Sequence, residues 1–215
     1  MRLKPGWSTA GIFLLLALAG ISGTALPGGG PPGWPLRFAS EVILVDLQDD
    51  EMTVLGEYTF RNDGPEPIER SVHYPFFLDD RHPFPLLIAS DGRPLKAASH
   101  GVIWTMSLQG NHSLTVPVQF SQRGLDGSWV YILTSTRNWQ MPLERADFVI
   151  RYPRDWGELE VSYPADRIFH GSESTEYVFA RTDFMPDRDL VIRRLDVDAP
   201  SPVPGAMSPW SCSPS

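Results

Sequence analysis

Residues Thr53 to Phe76, TVLGEYTFRNDGPEPIERSVHYPF, hold two alternating runs separated by a turn, and their reading decides the fold class. In the first run Val54, Gly56, Tyr58 and Phe60 share one side of an extended chain, while Thr53, Glu57, Thr59 and Arg61 share the other. That period of two is the mark of a half-buried strand. In the second run Ile68, Val72 and Tyr74 lie on one face, with Arg70 as the exception, and Glu69, Ser71 and His73 on the other. Between them Asn62-Asp63-Gly64-Pro65 supplies residues that tolerate left-handed or fixed-φ turn geometry.

The same pattern extends outward. Upstream, Val42 to Leu47 reads as a nearly continuous apolar strand and Asp49-Asp50-Glu51 as a turn. Downstream, Leu86–Ala89 and Leu95–Ala98 flank Ser90-Asp91-Gly92-Arg93, a hairpin signal. Runs 102–108 and 114–120 alternate around Gln109-Gly110-Asn111-His112 and are predicted to be two strands of one antiparallel sheet, with Pro117 placing the second at an edge or a bulge. WVYILT, 129–134, is expected to be a central strand; further strands are centred on Phe148, Val161, Tyr177 with Phe179, and Leu190–Leu195. No window carries a capped amphipathic helix. The expectation is an all-β, antiparallel β-sandwich of about ten short strands, rather than a barrel.

At the start, Arg2 and Lys4 precede the apolar run GIFLLLALAGI and the small residues Gly23-Thr24-Ala25, so residues 1–25 read as a signal peptide. The alternative is an uncleaved membrane-anchoring helix; both versions place the body of the protein outside the cytoplasm. Residues 26–36 form a Pro/Gly-rich spacer, 37–198 the β domain and 199–215 a Pro/Ser-rich tail that lacks the apolar surface to fold. The formal charge of −8 becomes −10 once Arg2 and Lys4 leave with the leader, which disfavours nucleic acid and anionic lipid as partners. The one cysteine, Cys212, excludes an intrachain disulfide, so stability must come from packing.

From Tyr131, YILTSTRNWQMPLERADFVIRYP, and later TEYVFARTDFMPDRDLVI resemble the closing part of the exported bacterial domain of unknown function 4424 family. The matching positions are Asn138-Trp139, Pro142, Phe184, Pro186, Arg188, Asp189 and Leu190. The segment YTFRNDGPEPIERSVHYPF is similar to the start of that family, and to the strand pair of the domain at the front of inter-alpha-trypsin inhibitor heavy chains. Residues 79–125 carry no such likeness, and the chain is short for the family. The resemblance implies an exported β-rich domain and brings no catalytic residues with it.

No catalytic constellation is recognised. Ser90, Ser99 and Ser107 stand in turn or strand contexts without a Gly-Xaa-Ser-Xaa-Gly elbow, and the five histidines lack metal-ligand spacing, which assigns them structural or solvated roles. Glu57, Glu69, Glu144, Glu158 and Glu160 offer no spacing that singles out a glycosidase pair. Calcium is the metal to weigh, through Asp183, Asp187 and Asp189 or Asp79 with Asp80, against solvated acidic turns; Asp189 has a competing role in pairing with Arg188 or capping a turn. For ligand binding the candidates are Asn138, Trp139 and Trp156, the last expected to be exposed because it falls in a turn. The chain therefore reads as a non-catalytic envelope module with no cofactor that binds another protein, with carbohydrate binding as the alternative and a calcium-dependent hydrolase as a distant third.

Overall fold

The computed structural model describes residues 35–90 and 95–195. The predicted signal peptide, nearly all of the spacer, the Asp91-Gly92 turn, the tail and Cys212 lie outside the described residues. Among the described residues there are thirteen strands: Leu36–Gln48 (β1), Glu51–Asn62 (β2), Ile68–Pro75 (β3), Leu87–Ser90 (β4), Lys96–Ala98 (β5), Gly101–Leu108 (β6), Ser113–Arg123 (β7), Ser128–Tyr131 (β8), Leu143–Pro153 (β9), Leu159–Val161 (β10), Arg167–His170 (β11), Ser174–Phe184 (β12) and Leu190–Arg194 (β13). Five of these run to eleven residues or more, longer than the sequence pattern suggests.

The strands form a seven-stranded sheet, β11-β12-β9-β1-β2-β7-β4, and two three-stranded sheets, β10-β13-β8 and β3-β6-β5. One contiguous apolar cluster is buried between their inner faces, the arrangement of an all-β sandwich. Strand β1 is the middle of the large sheet, which explains its near-continuous burial from Leu36 to Leu47. It pairs antiparallel with β2 across the tight Asp49-Asp50 turn, where Asp49 adopts a φ of 52°, and parallel with β9. Every other strand pairing described is antiparallel.

Alternation predicts the strands well and their partners less well. The runs 102–108 and 114–120, read as neighbours in one sheet, are β6 and β7, and they belong to different sheets. So do β2 and β3, the two runs of the opening stretch. The chain crosses from large to small sheet after Asn62 and returns after Leu108, and the two crossings are tied together. Asn62 is fully buried; its Nδ2 donates to Glu66 O at 2.7 Å and Gln109 O at 3.1 Å, and its Oδ1 accepts from Gly64 N at 3.0 Å. Asn111 N donates to Gly64 O at 2.9 Å, so one corner completes the other.

The predicted hairpin around Asp91-Gly92 is also corrected. β4 joins the large sheet through β7, and β5 joins the small sheet through β6, so these two strands are not hairpin partners. The segment 129–134 is an edge strand, β8, and only as far as Tyr131; the chain then turns into a 3-10 segment, Thr134–Trp139. The pairing of β4 with β7 covers Val118 to Ser121, so among the described residues Pro117 has no strand partner on the side away from β2, in keeping with its missing donor.

Candidate functional site

The polar feature that packing alone does not account for is Glu41, in the middle of β1 and 3% exposed. Period two dictates its direction: Ile43, Val45 and Leu47 face the core, and two places back along the strand is Glu41. A bulge between Phe38 and Ser40 shifts the register against β2, so Phe38 and Glu41 face inward together despite their odd spacing. Opposite Glu41 in that register is Tyr58. The ring of Tyr58 lies back over Gly56, where a Cβ would come within 2.1 Å of the hydroxyl, so glycine there permits this pose.

Tyr58 Oη hydrogen-bonds Tyr74 Oη at 2.6 Å and Tyr131 Oη at 2.9 Å, linking β2, β3 and β8. Three hydroxyls carry three protons, and two internal bonds use two of them, which leaves one O–H to donate elsewhere. Beside this trio is a small cavity with about 40 Å³ open to the centre of a water molecule, space for about three waters. Phe38, Glu41, Tyr58, Tyr74, Trp104 and Trp139 are among the residues of its wall. His73, Pro75, Ile132 and Ser135, at least partly exposed, border it on the solvent side. Two buried polar atoms in this wall lack a hydrogen-bond partner, Glu41 Oε1 and Trp104 Nε1.

Burial pushes the Glu41 carboxyl up to about 8, because loss of water penalises the charged form. The hydroxyls of Tyr58, Tyr74 and Tyr131 are pushed up as well, by burial first, with the Glu41 charge adding to it. At neutral pH the cavity wall thus carries a predominantly protonated carboxyl among neutral phenols.

One wall of the cavity is fixed from a distance. Asp189 Oδ1 accepts hydrogen bonds from Leu133 N at 3.0 Å, Thr134 N at 2.9 Å and Thr134 Oγ1 at 2.8 Å, capping the start of the Thr134–Trp139 turn. Arg137 Nε donates to Pro186 O at 2.8 Å. The segments TSTRNW and FMPDRDL, far apart in sequence, are therefore fastened to each other, and the first of them presents Ser135, Thr136 and Trp139 to the cavity.

The residues singled out from sequence are distributed differently. Trp139 is half-buried, packs on Phe38 and Phe60, and reaches the cavity; Asn138 beside it is exposed. Trp156, expected to be exposed, is 7% exposed: its 3-10 turn, Arg154–Trp156, folds the ring inward to stack on fully buried Trp129 at 5.7 Å and 8°, under the Arg194 guanidinium at 4.5 Å. Asp189 performs the turn-capping role. Asp187 is paired with Arg188 and accepts from Tyr163 Oη at 3.0 Å, and exposed Asp183 stands next to the last residue of β12 with a φ of 49°. Asp79 accepts from His82, whose buried ring also contacts Ser128 O, a structural role for that histidine. Among the described residues no group of three or more His, Cys, Asp or Glu is placed to hold a metal ion.

Glu41 escapes a reading of the sequence in which the apolar run starts at Val42. The signal was present: extending the Ile43, Val45, Leu47 face back by one step lands on a carboxylate.

No family model matches the chain, and no curated protein matches it. Solved structures do. A Legionella pneumophila protein named as a candidate nutrient binding protein superposes with a TM-score of 0.53 at 13% identity, over 74% of this chain and 66% of that one. An M1 zinc metallopeptidase from Deinococcus radiodurans superposes with a TM-score of 0.44 at 12% identity, over 74% of this chain and 42% of that one. The chain thus spans less than two thirds of either protein, and the likeness to the first is one of fold.

Proposed function

We propose that this chain is an exported, non-catalytic β module of the cell envelope that binds an extended segment of another protein along the open edge of its large sheet. The observation that carries the reading is β11. It pairs only with β12 among the described strands, all four of its residues are exposed, and Ile168 and Phe169 are 47% and 48% exposed. An unpaired strand edge offers a row of backbone donors and acceptors to an incoming strand, and side chains on its two faces select the sequence that joins it. Ile168 and Phe169 point to opposite faces, so the fitting partner is a strand with an apolar residue for each. Export rests on the basic start and apolar run of residues 1–25, and on the likeness to an exported family.

The test is affinity capture by the full mature chain from envelope extracts of its own host, with bound protein and polysaccharide both analysed, alongside the double variant Ile168→Asp/Phe169→Asp. A stoichiometric protein held by the native chain and lost by the variant is the expected result. Glycan enriched without protein would replace this reading with carbohydrate binding at Asn138 and Trp139. Beads empty of both would overturn it.

A further inference from the structure

We propose that the cavity at Glu41 is a binding site for a compact alkylammonium group. Three observations converge on it. The carboxylate is buried, forms part of the cavity wall and leaves Oε1 without a partner. The rest of the wall is largely aromatic: Phe38, Tyr58, Tyr74, Trp104 and Trp139 present rings whose faces attract a cation and whose bulk excludes a hydrated one. The space, about 40 Å³ to a water centre, suits an ammonium or methylammonium head and is too small for a sugar ring. An anion finds no lysine or arginine in this wall, and a wholly apolar guest would leave Glu41 Oε1 unpaired, the costly arrangement. An ammonium N–H donates to Glu41 Oε1 and to a tyrosine oxygen, while a water entering with it accepts from Trp104 Nε1.

The site couples binding to proton release. The other titratable groups of the cavity wall are Tyr58 from β2, His73 and Tyr74 from β3, and Tyr131 from β8; the wall contains no other carboxylate and no lysine or arginine. Raised by burial to about 8, the carboxyl must give its proton to solvent before it can pair with a cation, so affinity rises with pH until the acid has ionised. The site is separate from the β11 edge, and its failure would leave the strand-binding reading untouched.

The experiment is calorimetric titration of the full mature chain with methylammonium chloride in an amine-free buffer, with sodium chloride as the control cation. A second arm uses Nα-acetyl-lysine methylamide, which presents the same head group as a protein side chain would. Binding of either amine, absent for sodium and abolished in Glu41→Gln, is expected; the arm that binds tighter identifies the source as a free amine or a lysine. Between about pH 6.5 and about pH 8.5 the affinity is expected to rise roughly 25-fold, the ratio set by an acid that ionises near 8. Trp139→Leu, which removes one wall and keeps the carboxylate, is expected to weaken binding several-fold. No heat with either amine, or amine binding that survives Glu41→Gln, would overturn the proposal.

Discussion

Two aromatic clusters in this domain have similar composition and opposite finish. Around Trp156 the rings close on one another: Trp129 stacks flat beneath it, its Nε1 reaches Asp50 O at 3.4 Å, Tyr152 packs alongside and the Arg194 guanidinium covers the outside. Around Glu41 the rings surround a space that the carboxyl lines, and both Glu41 Oε1 and Trp104 Nε1 lack partners, whereas in the Trp156 cluster it is the Tyr152 hydroxyl alone that lacks one among the described residues. A tryptophan in a turn looks like a binding platform in sequence, yet its place in the packing decides whether it is a core residue. An acidic residue in an apolar strand is easily passed over, and it is the one left with a chemical task.

The comparison breaks first if the two tryptophans contribute alike. Trp156→Ala removes a ring packed on both faces and is expected to cost about 3–5 kcal/mol of unfolding free energy; half-buried Trp139 is expected to cost about 2 kcal/mol when changed to alanine. Urea unfolding of both variants checks the order, and equal losses would mean that the Trp156 stack is not part of the core.

The pH dependence of stability sharpens it next. Glu41 titrates near 4.5 when unfolded and near 8 when folded, so between these values the folded state holds more protons and stability falls as pH rises. The difference in unfolding free energy between Glu41→Gln and the native chain is expected to grow by about 3 kcal/mol from about pH 5 to about pH 8, favouring the variant. Parallel melting profiles for the two proteins would remove the buried acid from the account.

Asp189 gives a smaller effect. With its three hydrogen bonds to Leu133 and Thr134 lost, Asp189→Ala is expected to cost about 2 kcal/mol and to weaken amine binding, because the Thr134–Trp139 wall loosens. The smallest effect is that of a chelator: with its Oδ1 committed to that cap, Asp189 is read as a structural group, and excess EDTA is expected to leave the melting temperature unchanged. A drop on chelation, restored by calcium, would return Asp183, Asp187 and Asp189 to the metal reading.

Much of the fold was legible because side-chain alternation is a local property. In β2 every residue expected to face inward is buried, from Val54 to Phe60, and the β3 pattern of Ile68, Val72 and Tyr74 holds with Arg70 exposed as its exception. Pairing is a long-range property, and period two does not report it. Gln109–His112 looks like a hairpin turn between β6 and β7 until Asn62 and Gly64 of a remote corner bind it, and the strands then part into separate sheets. The four exposed residues of β11 do not alternate in burial, so that edge strand gave no signal at all. The cavity was least legible, since it takes shape only when a bulge at Phe38, a missing side chain at Gly56 and a cap from Asp189 act on three segments at once.

The most direct test is the titration of the Glu41 side-chain carboxyl, followed by carbon-13 NMR in the folded, ligand-free protein and assigned with Glu41→Gln. A midpoint near 8, moving downward when methylammonium is added, is what a buried carboxyl lining a cation site gives. A midpoint near 4.5, unmoved by the amine, would show a solvated carboxylate and contradict both the burial and the site.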